Sequence, residues 1–173
     1  MKTQQILNIL KVVSWILFIG LCLKPCAVLI SAIVNLIQDP EAGSYIFMKY
    51  NLLEVYEYNK LYFFLLVGLI ASIEFSKAYL FYWVIKTISK LNVAHPFSQD
   101  MFAMISKMSR ISLQIAFTAI ITSIYSQFLY YNMLHFKALD METEYLYLAG
   151  ILYVIALIFK KGIELQSENE LTI

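Results

Sequence analysis

The chain has 173 residues, of which 61% are apolar and 14% are charged, and its formal net charge is +1. Soluble domains carry about 25% charged residues, and a chain this short cannot bury so much apolar side chain in one soluble core. The composition therefore excludes a soluble enzyme domain, a disordered chain and a secreted disulfide scaffold. The near-neutral charge gives no field that would attract nucleic acid directly. We expect the surplus apolar surface to contact membrane lipid.

Four apolar stretches approach the roughly 20 residues that a membrane-spanning helix needs. They predict spans at residues 12–37, 61–85, 111–131 and 145–159 of a single transmembrane domain. The fourth is the shortest, and we expect it to recruit flanking residues or to thin the bilayer locally. Short connections favour packing between neighbours in sequence, so the predicted fold is all-α, an antiparallel four-helix bundle.

The distribution of basic residues predicts which side of the membrane each segment faces. Cytoplasmic segments carry the excess of lysine and arginine. One side would hold Lys2, Lys11, Lys86, Lys90, Lys107, Arg110, Lys160 and Lys161, and the other only Lys49, Lys60 and Lys137. We therefore expect both termini, the loop 86–110 and the tail 160–173 to be cytoplasmic, and the loop 38–60 to lie outside.

Each predicted span has one face on which another helix can lie closely, because small residues permit close approach in lipid. In the first span this face is Gly20, Lys24, Ala27 and Ser31, and in the third it is Ser112, Ala116, Ala119, Ser123 and Ser126. The second offers Ala71, Glu74 and Ala78, and the fourth Ala149, Tyr153 and Ala156. A single four-helix bundle would pack a helix against all four faces. A homodimer that uses one of these faces is an alternative that the sequence leaves open.

The predicted outer loop, residues 38–60, mixes turn signals with tyrosine and leucine. That mixture is typical of an interfacial helix or a short cap over the bundle. A solvated linker that happens to be aromatic is the alternative.

The predicted cytoplasmic loop contains a defined helix start. Pro96 disfavours helix at the residue before it, and Ser98 is a natural N-cap, with Phe97 and Phe102 spaced for a hydrophobic staple. A methionine stripe at helical spacing follows, formed by Met101, Met104 and Met108. It is either an adaptable binding surface or packing against the end of the second helix.

Three charges fall inside the predicted spans. Lys24 and Glu74 lie near the centres of the first and second spans, and Lys77 shares a helix face with Glu74. An isolated charge at this depth costs about 2.5–3.5 kcal/mol on insertion scales. We therefore expect these side chains to pair inside the bundle or to line a wet cavity.

Two interpretations of these charges remain open. A buried triad would fix the register of the helices. Alternatively Gln114, Thr118 and Thr122 of the third span join the charges to line a pocket for a small ligand or a lipid headgroup.

The residue patterns of common catalytic and metal sites are missing from the sequence. It has no phosphate loop, nucleophile elbow, H-E-x-x-H pattern or paired-cysteine zinc pattern. Cys22 and Cys26 share a helix face, but Lys24 between them repels cations. We predict neither an enzyme nor a bound metal or cofactor.

The tail carries the more specific motif. Residues 159–173 read Phe-Lys-Lys-Gly-Ile-Glu-Leu-Gln-Ser-Glu-Asn-Glu-Leu-Thr-Ile, and residues 95–98 read His-Pro-Phe-Ser. Both resemble motifs of an uncharacterised bacterial family of four-span membrane proteins, domain of unknown function 2975, although His95 replaces the asparagine usual there. Gly162 either caps the fourth helix or lies in a helix that continues as an acidic stalk.

The resemblance implies a partner, since members of that family look like partners of small helix-turn-helix regulators encoded beside them. It implies a sensor or tether in the bacterial inner membrane that holds such a regulator at its cytoplasmic face. The partner-binding residues would be Pro96, Phe97, Met101, Met104, Met108, Glu164, Leu165, Gln166, Glu168, Asn169, Glu170 and Leu171. The alternatives are a small ion-coupled transporter that uses Glu74, or an accessory subunit of a membrane complex.

Overall fold

The computed structural model describes residues 3–37, 52–91, 96–132 and 143–170. These form five helices: α1 (Thr3–Ile37), α2 (Leu53–Tyr58), α3 (Lys60–Lys90), α4 (Gln99–Asn132) and α5 (Glu144–Glu170). The described residues contain no β-strand. All but the short α2 are long and apolar enough to cross a membrane. The prediction of an all-helical protein with four candidate spans is confirmed.

The helix ends follow local chemistry that the sequence shows. The side chain of Asn59 accepts a hydrogen bond from the backbone N–H of Leu61 at 2.8 Å, and α3 begins beside it. The Ser98 hydroxyl accepts from the backbone N–H of Met101 at 3.3 Å, which confirms the predicted N-cap of α4. The chain leaves α3 at Leu91 in an extended conformation.

The fourth span continues well beyond its predicted apolar limit. α5 runs from Glu144 to Glu170 through Gly162 without a break. Of the two alternatives for the tail, the helix that continues as an acidic stalk is therefore the correct one. The added helix also gives the short fourth span the length that its apolar residues alone lack.

Extensive contacts between the described helices follow the order of the chain. α1 packs on α3, α3 on α4 and α4 on α5, while α2 packs on α3. One apolar cluster joins α1, α2 and α3 to the end of α4, and a second joins α3, α4 and α5. Described parts of α1 and α5 share no extensive contact, so the row of helices is open between them.

The described part of the predicted outer loop packs as a cap. Val55 of α2 is fully buried, and Leu52 just before the helix is nearly so. The ring of Tyr56 meets that of Phe63 edge-on, with centroids 5.3 Å apart. α2 therefore covers one end of the helices; residues 38–51 lie outside the described part of the chain.

The small-residue face predicted for α4 is buried, whereas the face predicted for α1 is mostly not. The five small residues predicted for the third span are all buried, as are the alanines predicted for the second and fourth spans. In α1, however, Gly20 and Lys24 are exposed and only Ser31 of the predicted face is buried. The buried face of α1 runs instead through Pro25, Val28 and Ala32. Tyr153, predicted on the packing face of α5, is also exposed.

The close packing of α4 gives a direct test. Ala116 is 2% exposed and the adjacent Phe117 is 66% exposed. We expect Ala116→Leu to destabilise the protein by about 1–3 kcal/mol, because the added atoms must push neighbouring helices apart. Phe117→Leu should change stability little. Unfolding in detergent micelles measures both; equal effects would contradict the packing described for this face.

Candidate functional site

An ion pair lies near the middle of α3. Lys77 Nζ donates a hydrogen bond to Glu74 Oε1 at 2.9 Å, from one turn further along the same helix face. The side chains are only 10% and 16% exposed, respectively. The structure thus brings together two of the three predicted intramembrane charges. Pairing offsets the cost of taking each charge out of water.

The third predicted charge lies elsewhere. Lys24 is exposed and has no ion pair with any described residue. The neighbouring Pro25 points into the contact with α3, and successive helical positions point about 100° apart. Lys24 therefore lies on the flank of α1, and the predicted triad with Glu74 and Lys77 is wrong.

Tyr145 is a member of the ion-pair site that sequence reasoning missed. Lys77 Nζ lies 5.5 Å from the centre of the Tyr145 ring. Tyr145 belongs to α5 and packs against the second apolar cluster, so α5 lies over the ion pair. A cation within about 6 Å of an aromatic ring is attracted to its face. The sequence gives no sign of this role, because nothing in the spacing shows which ring meets which ammonium group.

Gln114, Thr118 and Thr122 do not hydrogen-bond to the ion pair. The Thr118 hydroxyl donates to the Gln114 carbonyl at 2.9 Å, and the Thr122 hydroxyl donates to the Thr118 carbonyl at 2.8 Å. Both bonds stay within α4, and Gln114 is exposed. Such local bonds satisfy a threonine without a ligand. The second carboxylate oxygen of Glu74, Oε2, is buried without a hydrogen-bond partner in the described part of the chain. If the protein were the ion-coupled transporter of the alternative hypothesis, the coupled ion would act on this atom.

A second candidate site joins the two motifs that resemble the bacterial family. The ring of Phe97, in the turn before α4, meets that of Phe159 on α5 at a centroid distance of 5.3 Å. A Cβ atom added to Gly162 would lie 2.5 Å from Cδ1 of Phe97. Glycine at 162 therefore gives the Phe97 ring room to lie against α5. The predicted staple between Phe97 and Phe102 stays a prediction, and the ring contact that the structure shows for Phe97 is with α5.

The methionine stripe is part of the core. Met101, Met104 and Met108 are 4–6% exposed, and the Thr87 hydroxyl lies 3.9 Å from the Met108 sulfur as a donor. The packing alternative therefore describes these residues. Because they are almost fully covered, they offer a partner protein very little surface in this structure.

The helical extension of α5 presents acidic and apolar side chains. Glu164, Leu165 and Glu168 are exposed, and Glu164 pairs with Lys161 at 3.1 Å. Gln166 is half-buried. Beside the turn, an open depression of about 450 Å³ is lined by Lys90, Ser98, Gln99, Asp100 and Met101. The side chains of Asn169 and Glu170, and all of Leu171, lie outside the described part of the chain.

Comparison with known proteins identifies no relative of this chain. No family model matches the chain, and neither a curated protein nor a solved structure shows significant similarity to it. What the molecule does must therefore follow from its own residues and their placement.

The ion pair predicts a clear difference between two single substitutions. We expect Glu74→Gln to destabilise the protein by about 3–5 kcal/mol, because it removes a carboxylate that pairs with the buried ammonium group of Lys77. Lys24→Leu should leave stability unchanged or raise it, because it replaces an exposed charge that has no ion pair with a described residue. Denaturant unfolding in micelles measures both, and a loss for Lys24→Leu as large as that for Glu74→Gln would restore the triad.

The turn–tail contact predicts the effect of one added methyl group. Gly162→Ala should destabilise the protein by about 1–3 kcal/mol, because the methyl group meets the Phe97 ring. Gly150→Ala, on the same helix with open space around its Cβ position, is the matched control and should be neutral or slightly stabilising. In a Phe97→Ala background, Gly162→Ala should cost nothing further. Equal effects of the two alanines in the parent chain would rule out the contact.

Proposed function

We propose that this protein is a membrane-embedded sensor or tether that holds a small helix-turn-helix regulator through its cytoplasmic turn and tail. Four helices long and apolar enough to cross a membrane support a membrane location, and the two motifs that resemble the bacterial four-span family support membership of that family. The same resemblance supports location in a bacterial inner membrane. The regulator, and not this chain, would contact DNA.

The proposed topology is an antiparallel row of four spans, an open form of the predicted bundle. Tyr125 of α4 donates to the Tyr62 carbonyl at the start of α3, and Thr87 at the end of α3 reaches Met108 near the start of α4. Such pairs join opposite ends of successive helices. An even number of spans puts both termini on one side, and the clustering of lysine there supports a cytoplasmic assignment.

The observation that carries the proposal is the contact of Phe97 with Phe159 and Gly162. It joins the loop between the second and third spans to the base of the helical tail. A movement of the spans would therefore move the tail, because the turn is continuous with α4 and the tail with α5. A rigid, coupled element of this kind is what a membrane sensor needs to change its hold on a partner.

The tail has a charge suited to such a partner. Glu164 and Glu168 project from the extension of α5 with exposed side chains. Helix-turn-helix proteins carry basic surfaces that bind DNA phosphates. Acidic residues on a helix can occupy such a surface and compete with DNA for it.

The test uses the full-length protein and, as its partner, a helix-turn-helix protein encoded next to its gene, which the family resemblance leads us to expect. We expect Glu164→Gln with Glu168→Gln to reduce co-purification of the regulator from solubilised membranes by on the order of tenfold, and rising salt to do the same. Deletion of residues 164–173 should release the regulator and change expression of its targets. Glu54→Gln with Glu57→Gln removes two acids from α2, at the opposite end of α3, and should have no effect. Unchanged co-purification after the deletion would overturn the proposal.

A further inference from the structure

Two lysines from neighbouring helices converge on one tryptophan. Lys107 Nζ of α4 lies 4.1 Å from the centre of the Trp83 ring of α3, and Lys86 Nζ lies 4.5 Å from the same centre. Lys107 is also 5.8 Å from the centre of the Tyr79 ring. We call Tyr79, Trp83, Lys86 and Lys107 the basic aromatic cluster. The two ammonium groups therefore lie within about 9 Å of each other, and like charges at such a separation repel each other unless an anion joins them.

The described protein supplies no such anion. α3 contains one acid, Glu74, and α4 contains one acid, Asp100. Glu74 pairs with Lys77, and Asp100 pairs with Lys90 at 3.3 Å. Neither Lys86 nor Lys107 has an ion pair among the described residues, and Arg110 adds a further exposed positive charge on α4. The cluster is thus a concentration of positive charge without a counterion on either of its own helices.

The cluster also lies at the right depth to meet a lipid headgroup. Trp83 and Lys86 lie about 12 and about 16 Å along α3 from its midpoint. The hydrocarbon layer extends about 15 Å from the membrane centre, so a membrane placement that centres α3 puts both residues near the edge of that layer. Tyr79 and Tyr82 beside them are 45% and 41% exposed, which leaves the cluster open toward lipid. Tryptophan and tyrosine prefer this boundary because one edge of the ring is apolar and the other polar.

We propose that the basic aromatic cluster binds the phosphodiester group of an anionic phospholipid. Lys86 and Lys107 contact the phosphate, and the Trp83 ring lies at the boundary between headgroup and acyl chain. Basic pockets between membrane helices on the cytoplasmic side recognise anionic headgroups by this chemistry. The inference requires the membrane placement of α3 and α4 but not the regulator, so either proposal can fail without the other.

The chain's tryptophan content makes the site directly observable. It has two tryptophans, Trp15 and Trp83, so Trp15→Phe leaves Trp83 as the sole tryptophan, which is excited selectively at wavelengths that tyrosine does not absorb. This full-length variant is reconstituted into phosphatidylcholine vesicles that contain brominated phosphatidylglycerol or brominated phosphatidylcholine as quencher. We expect the anionic quencher to act at a mole fraction on the order of tenfold lower than the neutral one. Equal quenching by the two lipids would overturn the proposal.

Substitutions test whether the preference for the anionic quencher arises at the basic aromatic cluster. Lys86→Gln with Lys107→Gln should abolish it, whereas Lys160→Gln with Lys161→Gln, which removes the same charge from exposed positions on α5, should preserve it. Lys86→Arg with Lys107→Arg should also preserve it, and serves if the glutamine pair fails to fold. Loss of the preference in the α5 control would overturn the assignment to this cluster.

A competition arm separates a lipid from a soluble phosphate. Inorganic phosphate is added at an ionic strength matched with chloride. A lipid site keeps its preference for brominated phosphatidylglycerol under this competition. Loss of that preference with phosphate but not with chloride would assign the cluster to a soluble anion and overturn the lipid proposal.

Discussion

A charge in the hydrocarbon layer must be neutralised or covered, and Glu74 and Lys77 meet that constraint together on α3. α3 contacts α1, α2 and α4, so it is the most surrounded of the long helices. The ring of Tyr145 on α5 then covers the ammonium group, which ties the last span to the charged layer. Lys24, on the edge helix α1, stays outside this arrangement.

The two ends of the row of helices differ in chemistry. At one end, α2 seals the helices with fully buried Val55 and with aromatic rings. At the other end lie the basic aromatic cluster, the contact of Phe97 with α5 and the acidic extension of α5. The second end carries the features that suit the two proposed partners. The basic aromatic cluster suits an anionic lipid at the level of the headgroups, and the acidic extension suits a basic protein beyond them.

The two proposals place their ligands on adjoining segments of the same helices. α4 carries Lys107 of the lipid site and continues from the turn that holds Phe97, whose ring lies against α5. Lipid bound at Trp83 would stabilise the position of α4 relative to α3. Because the turn connects α4 to the tail, the lipid composition of the membrane is a physically reasonable signal for the proposed sensor.

The sequence by itself determined the elements whose cause is local. Apolar run lengths gave the four candidate spans, the Ser98 cap gave the start of α4, and the spacing of Glu74 and Lys77 placed both charges on one helix face. Only the tertiary structure decided which faces meet. It placed Lys24 on a flank, chose Pro25 and Val28 over Gly20 for the contact of α1, brought Tyr145 over Lys77, and set Gly162 against Phe97. In lipid, most faces of a helix are apolar, so hydropathy alone cannot distinguish a face that packs from a face that contacts acyl chains. The fit of side chains between particular helices makes that choice.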